Sequence, residues 1–101
     1  MITHTIAIIE DHPDFREQLR DALNGDGRMQ VVGTCRDQSE GQRLIEQTCP
    51  DVLLVDLGLP NGGNGLTNIR HALQRWGGRC ASAVLTVARN EEYLLDAVRA
   101  R

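Results

Sequence analysis

Apolar residues along this chain fall into short blocks of two kinds, continuous runs and helically spaced stripes, and the two kinds alternate. Ile6 to Ile9 is a continuous apolar run closed by Glu10 and Asp11, the pattern of a strand covered on both faces in a parallel sheet. Pro13 stands where a first helical turn tolerates proline, and Phe15, Leu19, Ala22 and Leu23 then recur at helical spacing, which predicts a first helix. Asn24-Gly25-Asp26-Gly27 breaks that pattern as turn chemistry, and Val31 to Cys35 predicts a second strand. Asp37 with Glu40 three residues later resembles a capping box, Leu44 and Ile45 give the buried side of a second helix, and Pro50 closes it. Val52 to Val55 followed by Asp56 repeats the grammar of the first strand. Beyond the glycine-rich stretch Pro60 to Gly65, the spacing of Leu66, Ile69, Leu73 and Trp76 predicts a third helix. Ala83 to Val87 predicts a fourth strand, and Asn90 a cap for a fourth helix carrying Glu91 and Glu92 in its first turn and Leu94, Ala97 and Val98 on its apolar side.

The order βαβαβαβα predicts an α/β fold, a doubly wound parallel sheet with helices on both faces, because each crossover is right-handed and must cover the sheet. Such sheets bind ligands at the carboxyl ends of their strands, near the point where strand order reverses. Polar residues at several strand ends therefore converge on one site. Three strands supply them: Glu10 and Asp11 from the first, Asp56 from the third, Thr86 from the fourth.

Composition narrows the chemistry. The 101 residues suit a single domain or part of one, and 41% apolar with 25% charged residues is ordinary for a globular protein. No apolar stretch approaches the roughly 18 residues of a membrane span, and MITHTIAIIE lacks the basic region and cleavage site of a secretory signal. The expected location is the cytoplasm, with no membrane contact. Cys35, Cys49 and Cys80 show no CxxC spacing, which favours reduced thiols over a disulfide framework or zinc site. A net charge of −3 without a basic run leaves no footprint for DNA on this segment. All 11 basic residues are arginines, so no lysine is available for catalysis.

Two carboxylates about 4 Å apart repel by about 4 kcal/mol at an effective dielectric of 20. A divalent cation removes that penalty, and Mg²⁺ prefers one or two carboxylates, a carbonyl and waters, with the Gly58 carbonyl a suitable further ligand. Aspartate can accept a phosphoryl group and Asp56 is the best-placed nucleophile, while the Thr86 hydroxyl could donate to a phosphoryl oxygen and report its presence. Each residue alone has a plainer reading: Asp11 as a helix cap, Asp56 as the start of a turn, Thr86 as a strand threonine. His12 reads as an exposed loop histidine and Trp76 as packing.

The segments EDHPDFR and PDVLLVDLGLPNGGNGL resemble receiver domains of bacterial response regulators, and the resemblance runs the whole chain. The separations of 45 residues from Asp11 to Asp56 and 30 from Asp56 to Thr86 are similar to that family's. The DHP and DLGLP segments are most similar to regulators with a LuxR-type helix-turn-helix output. The resemblance implies a flavodoxin-like sheet of strand order 2-1-3-4, with Glu10 and Asp11 as the metal-binding acid pair and Asp56 as a further metal ligand and the phosphoacceptor. It makes Thr86 the switch hydroxyl, Pro60 the shaper of the next loop, Mg²⁺ the cofactor and a sensor histidine kinase the donor. On this view residues 1–101 form a receiver domain short of the family's fifth strand, its lysine and its fifth helix, about one βα unit or roughly 20 to 25 residues. Strand four would then be an exposed edge, and a homodimer or domain-swapped oligomer is expected. One residue more than usual lies between Pro60 and Gly65, which is expected to loosen the loop beside Asp56.

Under this reading the chain is not an enzyme but a switch for a transcriptional output domain outside it, through which alone DNA would be bound. A rival is a pseudo-receiver, no longer phosphorylated, that serves as an interaction or dimerisation module. A phosphatase using Asp56 ranks lower, because the second acid such hydrolases need two residues on is here Gly58.

Overall fold

The computed structural model describes residues 3–85. Strand β1 (His4–Ile9), helix α1 (Pro13–Asn24), β2 (Met29–Cys35), α2 (Gln38–Thr48), β3 (Val52–Asp56), α3 (Gly65–Trp76) and β4 (Ala81–Leu85) follow in strict alternation, with a single 3₁₀ turn, Gly77–Arg79, before β4. The four strands are parallel in the order β2-β1-β3-β4. This is the flavodoxin-like arrangement expected. β4 begins two residues earlier than its apolar pattern indicated because Ala81 pairs with Val52 and donates its N–H to the Asp51 carbonyl. The predicted fourth helix and Thr86 lie outside the described residues.

The core sits between the sheet and α2 and α3. Ile6, Ala7, Ile8 and Ile9 are all buried, so β1 is covered on both faces. β3 instead alternates, with Leu53 and Val55 buried toward Ile45 and Ala72 while Val52 and Leu54 are only half-buried. Four of the five residues of β4 are exposed, and among the described residues it pairs with β3 alone.

Helix α1 has no fully buried residue, and Ala22 of its expected stripe is exposed. In α3 the buried line runs through Gly65, Asn68 and Ala72, with Ile69 and Trp76 at its margins, while Leu66 and Leu73 are 40% and 63% exposed. The leucines of the predicted stripe thus mark its edges. Small residues on the inner line let α3 lie close to α2 and β3. Trp76 is packing, as expected, and its indole N–H donates to the Ile45 carbonyl at 2.8 Å while Arg75 stacks on its ring.

The thiols Cys35, Cys49 and Cys80 are free. Burial, reinforced by the charges of Glu40 and Asp37, pushes the Cys35 thiol up to about 12. Since thiolate is the reactive form, Cys35 is expected to resist iodoacetamide in the native chain at pH 8 and to react on unfolding. Mass-mapped alkylation checks this, and rapid native labelling of Cys35 would contradict it.

Candidate functional site

The strand order reverses between β1 and β3, and the carboxyl ends of these two central strands place Glu10 and Asp56 side by side. Glu10 is 1% exposed. Its Oε1 accepts the His12 N–H at 3.0 Å, whereas its Oε2 is buried without a hydrogen-bond partner. The Asp56 carboxyl is its neighbour at the adjacent strand end. Burial raises the Glu10 carboxyl above its ordinary value, the His12 N–H pulls it down, and the neighbouring Asp56 raises it further.

Asp56 is half-exposed, and its Oδ1 accepts the Gly58 N–H at 3.1 Å. Asp11 lies two residues past the end of β1 and is exposed. Among the described residues no three acidic, histidine or cysteine side chains gather into one group. The two central strand ends bring Glu10 and Asp56 side by side, while Asp11, the next residue after Glu10, is exposed. Thr86 is outside the described residues.

The residues around the pair are built by local rules. His12 has an extended backbone and its Nδ1 accepts the Phe15 N–H at 3.3 Å, so His12 caps α1. His12 is exposed and outside the helix, as expected of a loop histidine, and it rather than Asp11 makes the cap. The Arg16 guanidinium reaches back one turn to donate to the Glu10 carbonyl at 2.8 Å, tying α1 to the backbone beneath the acids. Neither role follows from residue type, though Arg16 stands in the EDHPDFR segment.

The loop after Asp56 is shaped as a small hairpin. Asn61 and Gly62 both have positive φ, 60° and 73°, and the Gly63 N–H donates to the Pro60 carbonyl at 3.0 Å. This is a type I′ turn with its preferred Asn-Gly pair. Gly58 and Asn64 bridge antiparallel across it. The glycine-rich stretch thus closes on itself as a defined turn. Gly65 then opens α3 directly against the Asp56 carbonyl, where a Cβ would collide.

A buried carboxylate oxygen without a donor, beside a second carboxylate, suits a divalent cation. Mg²⁺ keeps several waters and takes only one or two carboxylates, so a pair with a rim acid and a nearby carbonyl is a sufficient protein contribution.

Residues 6–101 match the family described as response regulator receiver domain. The chain is 33% identical to the DNA-binding transcriptional activator DevR/DosR of Mycobacterium tuberculosis, aligning 94% of this chain with 43% of that protein. It is 35% identical to a protein-glutamate methylesterase/protein-glutamine glutaminase of Nitratidesulfovibrio vulgaris, over 68% of this chain and 18% of that protein. Among solved structures it resembles a two-component response regulator of the LuxR family from Aurantimonas sp. SI85-9A1, with 33% identity, a TM-score of 0.75 and coverage of 97% of this chain and 69% of that one. The chain thus spans less than half the length of these curated relatives.

Proposed function

The chain belongs to the response regulator receiver family, and on that premise we propose that Asp56 accepts a phosphoryl group from the phosphohistidine of a sensor histidine kinase. An Asp56 carboxylate oxygen attacks phosphorus, the P–N bond breaks and the histidine leaves. Glu10, Asp11, Asp56 and the Gly58 carbonyl would hold Mg²⁺, which when bound would neutralise charge on the acids and the incoming group. Thr86 is proposed as the hydroxyl that senses the phosphoryl oxygen. The phosphorylated state favours one of two arrangements of the face beyond β4 and so controls a DNA-binding output domain outside this chain, in the cytoplasm. The chain is on this reading a substrate and switch rather than an enzyme, and Gly58 leaves it without the second acid of an aspartate-based phosphatase.

One observation carries the reading: the buried Oε2 of Glu10, without a donor, is held against Asp56 at the reversal of strand order. A pseudo-receiver that only docks a partner has no use for this costly acid pair.

The test is intact mass after incubation with acetyl phosphate. A Mg²⁺-dependent gain of one phosphoryl group, abolished in Asp56→Asn, is expected. A folded wild-type chain that gains none would hand the reading to the interaction module.

A further inference from the structure

Helix α3 places an asparagine, Asn68, on its most buried line. Asn68 is fully buried, and an unpaired amide there would cost roughly 1 to 3 kcal/mol. Its amide nitrogen is paired twice, donating to the Gln38 carbonyl at 3.0 Å and to the Gln42 side-chain oxygen at 2.9 Å. Asn68 thus pins the first turn of α2.

Gln38 begins α2, just after the cap formed by Asp37, whose Oδ1 accepts the Glu40 N–H at 2.8 Å. From that pinned position its side chain crosses to the loop beyond Asp56, and its Oε1 accepts the Asn64 N–H at 2.9 Å. Asn64 is the junction of the loop. Its side chain caps α3 by accepting the Leu66 N–H at 2.8 Å, and its backbone bridges Gly58. Gly58 in turn donates its N–H to Asp56 at 3.1 Å. A continuous chain of hydrogen bonds and one bridge therefore runs from Asn68 through Gln38, Asn64 and Gly58 to the carboxylate.

We propose that Gln38 is a positioning residue for the Asp56 site: its side-chain oxygen, anchored through Asn68, holds the hairpin that sets the Gly58 backbone against Asp56. The inference rests on the reading of Asp56 given above. It deepens that reading, because a hairpin with an added residue needs a fixed support and α2 provides it. Only an acceptor is required at the tip of residue 38, since the bond recorded there is from Asn64 to Gln38.

That requirement makes the test selective. Gln38→Met keeps length and flexibility but removes the acceptor, whereas Gln38→Glu keeps an acceptor. Two signals are followed by NMR on the whole chain: hydrogen exchange of the Asn64 amide, and titration with MgCl₂ read at the Gly58 and Asp56 amides. In Gln38→Met, Asn64 exchange is expected to accelerate and the apparent Mg²⁺ dissociation constant to rise about threefold to tenfold, the range set by one net hydrogen bond. Gln38→Glu is expected to preserve Asn64 protection and to bind Mg²⁺ at least as tightly as wild type. A structural role alone would move the melting temperature of Gln38→Met while leaving the Mg²⁺ constant unchanged, and that result would overturn the proposal. So would a Gln38→Glu variant as impaired as Gln38→Met. A wild-type chain whose Gly58 and Asp56 amides ignore Mg²⁺ would overturn the Asp56 reading itself, whereas unchanged Asn64 exchange in Gln38→Met would sink the clamp alone.

Discussion

Replacing Gly65 with alanine is expected to destabilise the chain by about 2 to 3 kcal/mol, near the upper end for overpacking, and to lower its melting temperature by about 10 °C or more. The reason is the start of α3. A Cβ at this position would run into the Asp56 carbonyl oxygen and into Val55 Cγ2, which is only 2.8 Å away. Neither obstacle can swing aside: one is strand backbone, and Val55 is fully buried. Either α3 lifts from the sheet or the end of β3 moves, and the second choice carries Asp56 with it. Gly58, seven positions earlier in the same loop, is the control. A Cβ there meets nothing within 4 Å, so Gly58→Ala is expected to stay within about 0.5 kcal/mol of wild type. Thermal melts of the two variants, read by circular dichroism, separate the cases. Equal melting temperatures would show that the close approach of α3 to Asp56 carries no energetic weight.

The same crossing of α3 over β3 shows what could be read from sequence and what could not. The apolar runs ending in acids located β1 and β3, and with the alternation of elements they gave the sheet and the convergence of Glu10 with Asp56. Those signals are local, since a strand buried in a parallel sheet writes its burial into consecutive residues. The cap of α2 was likewise legible, because Asp37 and Glu40 act over three residues.

What escaped depended on contacts between elements. The inward line of α3 is set by how closely it approaches α2, so small residues and one asparagine face inward while Leu66 and Leu73 do not; a hydrophobic stripe reverses that order. Gln38 and Asn68 are 30 positions apart, and residue type alone does not distinguish them from amides that face solvent. His12 hid for a different reason. A histidine can cap a helix by accepting at Nδ1, but serine, threonine, aspartate and asparagine dominate that position, and Asp11 drew the reading to itself. The loop's form was hidden by length: Asn61-Gly62 is a turn pair, and counting positions does not show the hairpin that it closes.

Glu10 is where the site and the stability of the fold oppose each other, and its removal should make the chain more stable without metal. Burial first, and the Asp56 charge in addition, hold the Glu10 carboxyl above its ordinary value, the His12 N–H working against them. A carboxyl raised on folding means that the native state binds the proton more tightly than the unfolded chain does. Its stabilising contribution is therefore complete below the unfolded value and is lost as pH climbs through the raised native one. In Mg²⁺-free buffer the wild-type chain should lose stability over that window. Glu10→Gln can keep the acceptor for His12 and puts an N–H that can donate to Asp56 in place of the unpartnered Oε2. It is expected to be more stable than wild type at pH 7 in EDTA by about 1 to 3 kcal/mol, the cost of a buried unsatisfied group, and to show no decline over the window. Saturating Mg²⁺ should stabilise wild type and flatten its pH dependence, because the cation neutralises the buried Glu10 charge beside Asp56, and should do far less for Glu10→Gln. Urea unfolding from pH 5 to 8 with and without MgCl₂ measures all four cases. If Glu10→Gln is no more stable than wild type in EDTA, the acid pair is not under electrostatic load. If it gains as much from Mg²⁺ as wild type does, Glu10 takes no part in holding the metal.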